Sequence, residues 1–197
     1  NNLCDIFLLN GEEIKNDFNL LFPKKKSKWQ GDVRGLEKVK KTNIRIGNYP
    51  IYIEEGAELN QCILNATDGP IYIGRYAQIM EGSMLRGPFA MLNNSVLKMG
   101  SRIYSGTTLG PFCKVGGEVN NTVFFGYSSK AHDGFLGNSV IGEWCNLGAD
   151  TNNSNLKNNY ADIKLWSYDQ DGFKNTGLQF CGLIMGDYSK CGINTMF

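Results

Sequence analysis

Through the middle of the chain, apolar residues recur at every sixth position. Ile73, Ile79, Leu85, Met91, Leu97, Ile103, Leu109 and Val115 follow one another without a break. After a slip of two residues the beat resumes at Val123, Ser129, Phe135, Ile141 and Leu147, and it returns at Met185, Cys191 and Phe197. A helix repeats about every 3.6 residues and a strand about every 2, so neither accounts for this period. A hexapeptide repeat does. Each hexad builds one flat wall, and three walls close one coil of a parallel β-helix. The pattern predicts an all-β fold, a left-handed parallel β-helix with a short N-terminal helix.

Two further columns keep the same register. Four residues after the beat stand small side chains: Ala77, Ser83, Ser95, Ser101, Thr107, Cys113, Ser139, Cys145, Ser189 and Thr195. The inner corner of a triangular coil has room for little more. Directly after the beat stands glycine at Gly74, Gly110, Gly116, Gly142, Gly148, Gly186 and Gly192, as a sharp corner favours.

The flanks read differently. Asp5–Leu9 is a short apolar run. Asn10 is placed to cap a helix over 11–21, with Glu12 and Glu13 in its first turn and Ile14, Phe18, Leu21 and Phe22 as its apolar stripe. Lys24 to Lys41 reads as a polar linker, with its basic run Lys24, Lys25, Lys26, Lys28 solvated. Ile44, Ile46, Ile51, Ile53 and Leu59 carry an irregular first coil over 44–66. The regular coils run from about 71 to 149. A polar excursion then leaves the beat until about Met185, the kind of loop in which solenoids carry function.

Composition narrows the field. The chain has 197 residues, a formal net charge of +1 and six cysteines without a CxxC pair. Near-neutral charge argues against nucleic acid as a partner. No apolar run is long enough to span a membrane and no signal peptide is visible, so the expected compartment is the cytoplasm. The cysteines read as reduced structural thiols, Cys113 and Cys145 in corner slots and Cys191 on the beat. Asn1 in place of Met, and a last residue that falls on the beat with no cap behind it, lead to the expectation that the chain is a piece of a longer protein.

One histidine, His132, is the candidate for chemistry. A neutral imidazole can take a proton near neutral pH and so act as a general base. Beside it, Asp133 falls in the column otherwise kept for small residues, a break in the rule of the fold. A single histidine excludes the three-histidine zinc site of hexapeptide-repeat carbonic anhydrases.

The segments Ala131-His132-Asp133-Gly134-Phe135-Leu136-Gly137-Asn138, Asn146-Leu147-Gly148-Ala149-Asp150-Thr151 and Ser154-Asn155-Leu156-Lys157 resemble the acetyltransferase half of a known family. This is the bifunctional glucosamine-1-phosphate acetyltransferase/N-acetylglucosamine-1-phosphate uridylyltransferase family. The resemblance covers 69–197. It implies that residues 1–43 are the junction helix and linker behind a missing nucleotidyltransferase domain, and that 44–197 is the β-helix, cut short at its C-terminal end. It implies an acetyl-CoA-dependent N-acetyltransferase acting on an amino-sugar 1-phosphate, without a metal, as a homotrimer. His132 falls on the family's base, Asn146 on a sugar-contacting asparagine, and Ala149 and Asn155 on positions near acetyl-CoA. Lys157 or Lys164 is placed to meet a phosphate. The chain departs from the family at Phe135 (tyrosine), Asp150 (glycine), Asn120 (lysine) and Gly116 (arginine). Those departures keep a second reading open, a non-catalytic trimerisation or regulatory β-helix of a sugar-1-phosphate nucleotidyltransferase.

Overall fold

The six-residue beat closes into a three-walled parallel β-solenoid in the computed structural model, which describes residues 2–23, 29–31 and 36–197. One wall has eight strands, from Trp29–Gly31 to Ile184–Met185; a second has seven, from Glu58–Leu59 to Lys190–Cys191; a third has six, from Ile44–Gly47 to Phe135–Gly137. Each coil visits the six-, eight- and seven-stranded walls in turn, and neighbouring coils pair in parallel. Six turns are complete by Leu147, and a seventh is interrupted by the excursion.

The side chains on the beat fill the interior. Ile73, Ile79, Met91, Leu97, Leu109, Val115 and Ile141 have no exposed surface, and Leu85, Ile103 and Leu147 almost none. The small column is sealed as well, at Ala77, Ser83, Ser95, Ser101, Thr107, Cys113, Ser139 and Cys145. With only two to four strand residues per wall, no strand is stable alone; burial of this shared column holds the stack together.

The register corrects the beat after Val115. Val119, Phe124, Lys130 and Leu136 point inward, not Val123, Ser129 and Phe135. The corner between Val115 and Val119 spans four residues where that from Leu97 to Ile103 spans six. Gly117, at φ +74°, makes that short corner. Val119 to Phe124 and Leu136 to Ile141 then take five residues each, which brings the count back into phase at Ile141. Val123 pairs with Thr108 on the outer face, and Ser129 and Phe135 are half-buried on theirs. The first coil is corrected in the same way. Ile44 and Ile46 face out and are exposed, while Arg45 pairs with Leu64 and turns its guanidinium back to the carbonyls of Gly47 and Tyr49.

The first helix, α1 (Asp5–Leu21), begins six residues before the sequence pattern places it. The apolar run 5–9 continues the helical stripe: Phe7, Ile14 and Phe18 lie on one face and are buried against the outside of the eight-stranded wall. Asn10 is therefore inside the helix, not its cap. Its amide donates to Gly106 O (2.6 Å) and accepts from Thr108 Oγ1 (2.9 Å), pinning the helix to the wall. Part of the expected linker is also a helix, α2 (Leu36–Thr42), steadied by Lys40 on Glu37 at 2.6 Å. Its Val39 joins the solenoid core, and Asn43 behind it bonds Val39 O, Leu59 O and the Cys62 amide, so α2 covers the first coil. The basic run 24–28 lies outside the described residues.

Candidate active site

His132 sits on the corner between the strand Ser129–Lys130 of the seven-stranded wall and Phe135–Gly137 of the six-stranded wall. It is exposed, and among the described residues its ring makes no hydrogen bond. Asp133 is exposed beside it and does not fill the small column; Gly134 does. Gly134 has φ +118°, and a methyl group there would run into the carbonyl oxygen of Thr151 in the next coil. The Asp150 amide donates to Asp133 O (3.1 Å), so Ala149 and Asp150 lie directly against the His132 turn.

Asn146 stands one wall back. It pairs with Ser129, not with His132, and with Lys190 on its other side; Lys114 flanks Ser129. The outer face of the seven-stranded wall thus carries a row Lys114, Ser129, Asn146, Lys190 that passes the His132 corner at Ser129. Sequence reading passed over Lys114 and Lys190, because their approach to Asn146 follows from coil register and not from any motif.

The other assigned residues lie elsewhere in the chain. Asn155 occupies the opposite corner, between the six- and eight-stranded walls, where its amide donates to Asn138 Oδ1 at 2.7 Å. There the excursion begins. Lys157, exposed, donates to Asp162 O (2.9 Å). Lys164 opens an antiparallel hairpin, Lys164–Ser167 with Gly172–Asn175, whose Trp166 and Phe173 meet edge to face at 5.4 Å. Ile163, Leu165 and Leu178 pack at its base against Cys4, Phe7, Val140 and Cys181, on the outside of the eight-stranded wall. Within one chain the structure therefore joins His132 to Ala149 and brings Asn146 near. It holds Asn155, Lys157 and Lys164 apart from them.

Beneath the corner is the residue sequence reading missed. Lys130 points into the solenoid, in register with Val115, and is 1% exposed. Its Nζ donates to Gly116 O (3.1 Å) and His132 O (3.0 Å). Burial pushes its ammonium down to about 8; nearby Asp133 raises it, Arg102 lowers it and Asp150 raises it again. The signal in the sequence was the short Gly116-Gly117 corner, which shifts the column by one and puts a lysine on the beat.

Of the concavities away from this corner, two border α1 and the excursion. One, of about 280 Å³, is an apolar groove between α1 and the eight-stranded wall, lined by Ile14, Phe18, Leu21 and Leu92. The other, of about 520 Å³, lies between the hairpin and Asn2–Asp5. Among the described residues no cluster of three or more His, Cys, Asp or Glu is placed to hold a metal ion, and no helix is long and apolar enough to cross a membrane.

With this geometry in hand, similarity to known proteins is limited and specific. No family model matches the chain. Over 139 residues the chain is 24% identical to a protein of Escherichia coli (strain K12), YaiX, named as an uncharacterised acetyltransferase. The match covers 70% of this chain and 60% of that protein's length. A parallel β-solenoid is the architecture typical of hexapeptide-repeat acetyltransferases.

Proposed function

We propose that the chain is the acyl-transfer part of an acetyl-CoA-dependent N-acetyltransferase acting on an amino-sugar 1-phosphate, with glucosamine 1-phosphate as the first candidate acceptor. The observation that carries this reading is His132. The only imidazole in the chain stands exposed on a corner, without a hydrogen-bond partner among the described residues, in a solenoid whose relative is named an acetyltransferase. In the reaction the sugar amine attacks the thioester carbonyl, and His132 takes the amine proton as the new C–N bond forms. The C–S bond then breaks, and the coenzyme A thiolate takes that proton from His132 and leaves as the thiol. Lys114 and Lys190, flanking Ser129 and Asn146 on the outer face, offer exposed cations for the phosphate of an acceptor or of the coenzyme. A homotrimer would let Asn155, Lys157 and Lys164 of a neighbouring copy approach the His132 of this one.

A second reading has its own support: the β-helix as an assembly module for a sugar-1-phosphate nucleotidyltransferase. Ile44, Ile46, Met84 and Tyr104 are exposed on the outer face of the six-stranded wall, an apolar surface suited to another copy. One experiment separates the two. The protein is assayed for acetyl transfer from acetyl-CoA to glucosamine 1-phosphate, as wild type and as His132→Ala. The acyl-transfer reading expects wild-type turnover and a loss of about 10²–10⁴-fold in the variant. Trimers by light scattering, with no transfer in either protein, leave the assembly reading.

A further inference from the structure

Several corners between the seven- and six-stranded walls share a plan that the His132 corner lacks. In three of them the first corner carbonyl is closed by the hydroxyl three residues on: Ser101 to Lys98 O, Thr151 to Gly148 O and Thr195 to Gly192 O. In each, the residue just before the hydroxyl is left-handed: Gly100, Asp150 and Asn194. The His132 corner differs on both counts. Its hydroxyl position is Gly134, and the positive φ has moved from Asp133 to Gly134. The short corner above it has glycine at this place too, Gly117. These two successive corners therefore have no side chain at that place, whereas Cys62 holds it in the first coil and Ser83, in the second, donates to Lys98 O of the next corner.

Lys130 donates to both of these corners. Gly116 O is equivalent to Lys98 O and Gly148 O, since each of these residues follows the beat, and it is Lys130 Nζ that bonds it. The same ammonium bonds His132 O, the backbone of the candidate base itself. An apolar side chain would fill this column at no electrostatic cost, as Val115 and Leu147 do in the adjacent coils. A buried cation is costly unless its donors are used, and these go to two stacked corners, one of them the His132 turn. The charged groups around it are Asp133 and Asp150 on the corners and Arg102 on the six-stranded wall.

We propose that Lys130 is the positioning residue for His132, fixing from inside the solenoid the turn on which the imidazole stands; this rests on the acyl-transfer reading above. The test replaces it in the full chain by Met, which matches its length and keeps the column filled. Three quantities are read: thermal unfolding, amide exchange at Asp150, whose N–H bonds Asp133 O, and kcat and KM with acetyl-CoA and glucosamine 1-phosphate. In Lys130→Met the unfolding temperature is expected to hold or rise while exchange at Asp150 quickens. kcat is expected to fall about 100-fold, the scale of a misplaced catalytic group, with KM for acetyl-CoA little changed. Should the Met variant fold poorly, Lys130→Leu repeats the test with the residue found at Leu97 and Leu147. Wild-type kcat in a folded variant, alongside an inactive His132→Ala, overturns the assignment. So does a loss of activity no larger than the loss of folded protein. If His132→Ala is as active as the wild type, or neither transfers acetyl groups, the acyl-transfer reading is what fails. Exchange at Asp150 then decides the positioning role alone, and an unchanged rate overturns it.

Discussion

Lys130→Met should change how stability depends on pH, and the size of the change follows from where the ammonium sits. Unfolded, the lysine has its ordinary pKa of 10.5; folded, burial brings it to about 8. Between these values the unfolded chain binds more protons than the folded one. The sign is then fixed: wild-type stability gains from this group as pH rises from about 8 to about 10.5. Below about 8 both states hold the proton, and the buried charge is a constant cost. A gap of about 2.5 pH units at about 1.36 kcal/mol each amounts to about 3 kcal/mol. The tyrosines and cysteines that titrate in the same window are common to both proteins and cancel in the comparison. The assay is urea unfolding of wild type and Lys130→Met at pH 7 and pH 10.5. Met should be the more stable at pH 7, and its advantage should shrink by about 3 kcal/mol at pH 10.5. Parallel stability curves would refute the reasoning, because they would mean that Lys130 titrates alike in the folded and unfolded chains.

Other consequences can be checked directly. Leu97 is fully buried, so Leu97→Ala should lower unfolding free energy by about 2–5 kcal/mol through lost burial and a cavity. Gly134→Ala should destabilise by at least about 1–3 kcal/mol from backbone strain alone, since Gly134 lies at φ +118° and the added methyl meets Thr151 O. Five cysteines are buried and Cys191 is half-buried, so an aromatic disulfide reagent under native conditions should label Cys191 first and the rest only on unfolding. Raised thiol pKa values at Cys62, Cys113 and Cys181, to about 11, 11 and 12 through burial, work in the same direction.

Most of the solenoid was legible because its determinant is periodic. A side chain on the beat is buried by the coils above and below it, so the spacing in the sequence reproduces the spacing in space. The reading failed where the chain shortened a corner. Nothing in Val123, Ser129 or Phe135 announces that the inward residues are Phe124, Lys130 and Leu136; only the closure at Gly117 decides it. The helix start was missed for a different reason. Asn10 has the chemistry of a cap, but burial of Phe7 against the wall outweighs that local preference and carries the helix back to Asp5. At the candidate site, His132 stood out as the only imidazole. Lys130 did not, because a lysine in a polar-looking stretch gives no sign of facing inward. The grouping of Asn146 with Lys114 and Lys190 depends on register between coils, which a linear motif does not encode.

The neck of the excursion has a consequence for how such a chain can vary over generations. The chain after Leu147 departs at Asn155 and rejoins at Cys181, and the Cys181 amide bonds Asn155 O at 3.0 Å. Departure and return are thus a single hydrogen bond apart, like the two sides of a closed door. What hangs between them can lengthen or shrink without moving a coil, since doubling a loop costs only about 0.6 kcal/mol in closure entropy. Natural selection can therefore exchange this stretch as one interchangeable part, retuning what the surface recognises while the stacked coils are inherited unchanged.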